Sequence, residues 1–253
     1  MKDRSGFFGA VQFLTRVPVR RDTAADTSSV VVWFPVVGAL VGAAAGGVAA
    51  GLGELVPAAV AAVMAVLTGV VITGAFHEDG LADTADAIAG GWTLERRLEI
   101  LKDPRHGTYG VAALCASIVL RVVAVASLSP AAAFGGLVAA HTLGRGAAVA
   151  TMGVVPVARR DGLGAEFARS VGAGRAATAA VVAVAIAALA SGWWLGPLAL
   201  AAAVGAATVA VLARRAFGGI TGDVLGAVEQ VAECLVLVVV TGLAARSDVW
   251  WAE

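Results

Sequence analysis

Residues 56–90 read VPAAVAAVMAVLTGVVITGAFHEDGLADTADAIAG. Up to Phe76 the stretch carries no charge, and it is about twenty residues long, enough for a helix to cross a hydrocarbon core about 30 Å thick. Glu78, Asp79, Asp83 and Asp86 then follow directly. A span that runs without a break into an acidic helix implies a membrane protein whose polar chemistry sits at a membrane face.

Working outward, the rest of the chain has the same character. Of 253 residues 59% are apolar and 14% charged, a poor match to a soluble domain. Apolar runs recur at 30–50, 56–76, 111–128, 131–155, 176–193, 196–213 and 224–244. The expectation is an all-α, polytopic transmembrane bundle of about seven helices, forming one integral-membrane domain over 1–253. Ala and Gly supply much of the apolar count, and small residues let membrane helices approach closely. Phe7, Phe8, Val11 and Leu14 recur at roughly helical spacing within 5–17, which predicts an amphipathic helix lying in the interface. The first span exceeds a signal-peptide core, so the start is expected to be retained.

Positive residues stay on the cytoplasmic side of short loops. Lys2, Arg4, Arg16, Arg20 and Arg21 precede the first span; Arg96, Arg97, Lys102 and Arg105 follow the second; Arg159, Arg160, Arg169 and Arg175 follow the fourth; Arg214 and Arg215 follow the sixth. The alternate connections, around 51–55, 129 and 194–195, contain no Lys or Arg. The N-terminus and the acidic segment are therefore expected inside the cytoplasmic membrane of a bacterial or archaeal cell. Formal net charge is zero, which excludes a basic nucleic-acid footprint. Cys115 and Cys234 have no metal-ligand spacing and read as packing residues.

On a helix Asp79, Asp83 and Asp86 stand at i, i+4 and i+7, so their carboxylates share a stripe. They repel one another unless a cation lies among them, and oxygen-only ligands suit Mg²⁺ completed by water and phosphate. A solvated acidic face is the plainer account, but placement at the end of a span favours metal and phosphate chemistry. Residues 102–110 read KDPRHGTYG. Lys102 and Arg105 offer phosphate contacts, and Gly107 and Gly110 let backbone amides approach an anion. Arg121, His141, Arg145, Glu229 and Glu233 fall inside spans, where unpaired charge is costly, so some must pair. Glu229 and Glu233, one turn apart beyond Asp223, could complete a cation site or neutralise Arg145. His77 reads equally well as a base or as a buried hydrogen-bonding group. The sequence 162–164 with Glu166 reads as a flexible loop.

Taken together, FLTRVP at 13–18, FPVVG at 34–38, HEDGLADTAD at 77–86, KDPRHGTYG at 102–110 and GGITGDVLGA at 218–227 resemble the cobalamin synthase family of adenosylcobinamide-GDP ribazoletransferases. The likeness covers nearly the whole chain. Glu78 stands where that family usually has an apolar residue, and Pro104 and His106 replace commoner Ser and Ile or Val. The resemblance implies an Mg²⁺-dependent transfer of the adenosylcobinamide phosphate moiety from adenosylcobinamide-GDP to α-ribazole or its 5′-phosphate, with release of GMP. It implies metal positions at Asp79, Asp83 and Asp86, to which Glu78 adds a further acid as a candidate metal position, and catalytic positions at His77, Lys102, Asp103 and Arg105. Substrate-binding positions would be Thr108, Arg145, Asp223 and Glu229. The partners implied are those two substrates and the lipid bilayer, with a homo-oligomer left open. A CDP-alcohol phosphotransferase also pairs aspartates with glycine at a membrane face, but its Ala-Arg pair after the first Asp-Gly is missing here. A solute transporter would concentrate charge near the midplane, whereas the densest charge lies in one loop.

Overall fold

The computed structural model describes residues 2–19, 27–158 and 163–252. Arg20, Arg21, Arg159, Arg160 and Gly162 lie outside the described residues. The chain is all-helical: α1 (Lys2–Leu14), α2 (Thr27–Val30), α3 (Phe34–Gly53), α4 (Ala58–Thr73), α5 (Phe76–Gly90), α6 (Leu94–Ile100), α7 (Thr108–Ala126), α8 (Pro130–Val154), α9 (Leu163–Ser170), α10 (Ala173–Ser191), α11 (Leu195–Phe217) and α12 (Gly222–Ala244). Residues 163–170, expected as part of a flexible loop, form α9 instead.

Among the described residues, four helical stretches are long and apolar enough to cross a membrane: Thr27–Gly53, Thr108–Ala126, Ala173–Phe217 and Gly222–Ala244. A fifth is counted if α4 and α5, bent by 89°, are taken as one. The count of about seven is therefore not confirmed, for two physical reasons. The α10–α11 stretch is 45 residues without a helical gap, yet it turns at Gly192, whose φ is +58°, and both arms line one apolar cleft against α8. α8 is long enough but carries His141 and Arg145, which it can do because it sits inside protein rather than lipid. The outward faces remain apolar, with Val71, Val123, Val181, Leu189 and Leu200 exposed as lipid-facing side chains would be.

α8 is the axis of the bundle, packed by α3, α10, α11 and α12. Its contact with α3 depends on Gly38, Gly42 and Gly46, one face of α3. A Cβ on Gly42 would lie 2.6 Å from the Leu137 carbonyl oxygen, and one on Gly46 would lie 2.8 Å from the Phe134 Cα. Only backbone without side chain fits there, which is how small-residue stripes bring membrane helices together. α1 does not spread its apolar stripe on lipid alone. Phe13 stacks on Phe34 at 5.6 Å and meets Phe167 at 4.5 Å, while Val11 and Leu14 are buried.

The bend between α4 and α5 has a local cause. Gly74 and Ala75 both adopt left-handed backbone conformations, with φ of +68° and +59°. Two such residues in succession end α4 and redirect the chain, and at Ala75 the conformation costs about 1 kcal/mol or more. The N-terminal segment holds this elbow: Arg16 N donates to the Ile72 carbonyl at 2.7 Å, and the Arg16 side chain packs against Gly74.

The two ends of the bundle differ chemically. At one end Arg97 Nη1 donates to the Ala216 carbonyl at 3.2 Å, and residues 156–158 pair with 220 through a single bridge between Val157 and Ile220. That end gathers the charged connections. At the other, Trp250 and Trp251 donate to the last carbonyls of α10, and Trp194 Nε1 lies 3.4 Å from Ser247 Oγ. Indole belts of this kind suit a membrane interface.

Candidate active site

α5 leaves the elbow with its acidic stripe divided by rotation and depth. Gly80 lets it press on the start of α12, since a Cβ there would meet the Asp223 carbonyl oxygen at 2.7 Å. α12 is started by Thr221, whose hydroxyl accepts from Val224 N at 3.3 Å, so Asp223 sits in its first turn. Asp79 is exposed, Asp83 is half-buried and Asp86 is buried. The three equivalent-looking aspartates therefore have three environments.

Asp86 faces inward. Its Oδ2 accepts from Gly107 N at 2.7 Å and its Oδ1 from Gly110 N at 2.9 Å. The carboxylate thus caps the start of α7 from a neighbouring helix, satisfying amides that would otherwise lack partners. Of the expected stripe of three carboxylates, Asp86 is turned to the α7 amides, and Asp79 and Asp83 are left on the open side of α5. Glu78 points away from them: it is 4% exposed and accepts from Arg121 Nη1 and Nη2, both at 3.1 Å.

The bond from Asp86 to Gly107 brings the preceding residue, His106, over the outer face of α5. Its Nδ1 lies 3.3 Å from Asp83 Oδ1 and its Nε2 3.6 Å from Asp79 Oδ1. One ligand atom from each of Asp79, Asp83 and His106 falls within 4.8 Å of the others. Burial and the nearby Asp79, Asp223 and Asp86 carboxylates push the Asp83 carboxyl up to about 6. Such a pocket is short of positive charge, and the donor set fits a divalent cation.

Beside it, Arg105 is held by Asp103. The guanidinium donates from Nε at 2.8 Å and from Nη2 at 2.7 Å, and the Arg105 backbone N adds a bond at 3.1 Å. These bonds bring the half-buried Asp103 carboxyl down to about 2. Lys102 and Thr108 are exposed in the same connection.

Four other expected site residues are placed differently. Arg145 is 2% and Glu229 0% exposed, and they bond each other at 2.6 Å. His77 is buried, with Nδ1 3.8 Å from Glu229 Oε2. Glu78 joins them through Arg121, whose Nη1 also donates to Glu233 Oε1 at 3.2 Å. His141 Nδ1 lies 2.8 Å from Glu233 Oε2, and Gln230 Nε2 donates to Glu229 Oε2 at 3.0 Å. This is a buried ion-pair network, three carboxylates against two guanidiniums with two imidazoles among them, that links α5, α7, α8 and α12. The expectation that Arg145 pairs with one of the two glutamates matches this geometry, and Glu229 is the closer. Arg121, expected among the intramembrane charges that must pair, pairs with Glu78 and Glu233. His106 is the residue given no role by sequence reasoning, and its signal was a histidine at a usually apolar position.

A model of the family described as cobalamin-5-phosphate synthase matches residues 6–241. Among similar proteins, the adenosylcobinamide-GDP ribazoletransferase of Bradyrhizobium diazoefficiens is 43% identical, covering 91% of this chain and 90% of its own. That of Azorhizobium caulinodans is 40% identical over 88% and 90%, and that of Shewanella frigidimarina 34% identical over 94% and 95%. No solved structure matches. With one family model covering almost the whole chain and relatives this similar end to end, the chain belongs to the cobalamin-5-phosphate synthase family.

Proposed function

We propose that this chain carries out the last step of cobalamin nucleotide-loop assembly. It transfers the adenosylcobinamide phosphate moiety of adenosylcobinamide-GDP to α-ribazole or its 5′-phosphate and releases GMP. The observation that carries the reading is the convergence of Asp79 and Asp83 at the charged end of the bundle, beside the cationic 102–110 connection.

A ribose hydroxyl of the acceptor forms the new O–P bond at the cobinamide-bearing phosphorus. The bridging P–O bond to GMP breaks, GMP takes that electron pair, and the hydroxyl proton leaves to water or a carboxylate. Asp79 and Asp83 are the residues that would hold Mg²⁺, which when bound neutralises diphosphate oxygens as charge develops on the leaving GMP. Arg105 presents its fork to the second phosphate by exchanging the Asp103 carboxylate for phosphate oxygens, and Lys102 adds a point charge. His77 is buried beside Glu229 and in this reading serves the core rather than the hydroxyl.

The charged end faces the cytoplasm in this reading, because Arg96, Arg97, Lys102 and Arg105 gather there. Labelling of a single cysteine at position 97 by an impermeant reagent outside intact cells would reject that orientation. For the activity, purified protein is given adenosylcobinamide-GDP and α-ribazole with and without Mg²⁺. GMP release that requires both substrates and the cation is expected; no release at any Mg²⁺ concentration rejects the proposal.

A further inference from the structure

We infer that His106 is a nitrogen ligand of the same cation, so that this site accepts Mg²⁺ but holds first-row transition cations such as Mn²⁺ more tightly. The inference rests on the metal reading of Asp79 and Asp83 proposed above.

The position of the imidazole is fixed by structure. Gly107, the next residue, is bonded through its amide to Asp86 at 2.7 Å, and Asp86 lies one turn beyond Asp83 on α5. Residue 106 is therefore tied down at the level of Asp83. Nδ1 lies 3.3 Å from Asp83 Oδ1 and the other nitrogen, Nε2, 3.6 Å from Asp79 Oδ1, and one ligand atom from each of the three residues falls within 4.8 Å of the others. Adjacent ligands on an octahedral ion with bonds of 2.0–2.1 Å stand about 3.0 Å apart. The His106–Asp83 separation is within a few tenths of an ångström of that edge. The neighbouring cation does not compete for the place, because Arg105 is occupied by Asp103.

Donor chemistry then sets the preference. Mg²⁺ takes oxygen almost exclusively and gives up water reluctantly, so an imidazole adds little to its binding. First-row transition cations accept imidazole together with carboxylate, and their affinity for such mixed sites rises along the series from Mn²⁺.

The test uses full-length protein in detergent, free of any histidine tag, with Mn²⁺ as the probe. Electron paramagnetic resonance counts bound Mn²⁺, pulsed measurements detect a coordinating ¹⁴N, and titration with Mg²⁺ gives relative affinity. The parent is expected to bind Mn²⁺ at least about tenfold more tightly than Mg²⁺ and to show the nitrogen signal. His106→Leu should lose that signal and about tenfold or more of Mn²⁺ affinity, with Mg²⁺ affinity nearly unchanged. His106→Gln, which keeps a polar side chain in the loop, should do the same. Suppose instead that Mn²⁺ binds in a manner abolished by Asp83→Asn, but without nitrogen coupling and equally in both His106 variants. The His106 inference then fails while the carboxylate site stands. If no Mn²⁺ or Mg²⁺ binding depends on Asp83, the metal reading itself falls and takes this inference with it.

Discussion

Two clusters in this molecule use the same side chains to opposite ends. At the charged face Asp79 and Asp83 flank one imidazole, Asp223 lies near enough to act on Asp83, and the guanidinium of Arg105 is turned to Asp103. In the core Glu78, Glu229 and Glu233 meet Arg121 and Arg145 at 2.6–3.2 Å, nearly free of solvent. A carboxylate next to a guanidinium in the interior is spent on assembly. One that shares a half-open pocket with other carboxylates remains available to a cation. The partner and the burial decide the role, and the residue type does not.

The sharpest way to break this contrast is at the surface cluster. Asp83→Asn should lower GMP release by about 10³-fold or more, because charge neutralisation on the diphosphate supplies several kcal/mol. Membrane abundance should stay at the parent level, since the substitution removes repulsion. Near-parental GMP release would remove Asp83 from the chemistry.

The core should answer in stability rather than in catalysis. Arg121→Met leaves Glu78 and Glu233 without their guanidinium, and breaking a buried pair from one side costs about 3–5 kcal/mol. The expected readout is a lower melting temperature in detergent and a smaller folded yield. Pairing Arg145→Met with Glu229→Gln should cost less than the two singles added together. Strict additivity would mean that the 2.6 Å contact carries no coupling.

pH separates the two clusters further. Asp83 titrates near 6 in the folded chain against 3.8 ordinarily. The folded state therefore binds its proton more tightly than the unfolded state does. Metal-free protein should lose stability as pH rises from about 4 to about 6, and a divalent cation should reverse that loss. Melting curves across this window test it, and Asp83→Asn should flatten the slope. A slope unchanged in that variant would assign the titration elsewhere.

The smallest effect is expected at the elbow. Ala75→Gly relieves a left-handed alanine at some cost in unfolded-chain entropy, for a net gain below about 1 kcal/mol with activity retained. A large loss of activity would show that the stiffness of the bend, and not only its angle, positions Asp79 and Asp83.

Much of this was legible in 56–90. The run to Phe76 announces a membrane helix, and the acids after it announce a polar site. Intramembrane cost alone also requires a partner for Arg145. The division of labour among Asp79, Asp83 and Asp86 was not legible, because their spacing is that of a single stripe. Only the path of the 101–107 connection turns Asp86 into the cap of α7 and delivers His106. Glu78 stands next to Asp79, yet the rotation of α5 sends it inward to Arg121. The count of about seven is not confirmed: run length cannot register that α8 is solvated by other helices, nor that α10 and α11 follow one another through a turn at Gly192 without a helical gap.

Glu229, Gln230 and Glu233 all reside on α12, which leaves the ribosome after α5, α7 and α8. Until it inserts, Arg145 has no carboxylate partner in the core and Arg121 has only Glu78. The nascent chain is then a set of apolar helices around one uncompensated guanidinium, that of Arg145, the kind of intermediate that membrane proteases clear. α12 is in this sense the keystone of biogenesis. Chains interrupted before residue 222 should be short-lived, and supplying 222–253 as a separate peptide should prolong their lifetime.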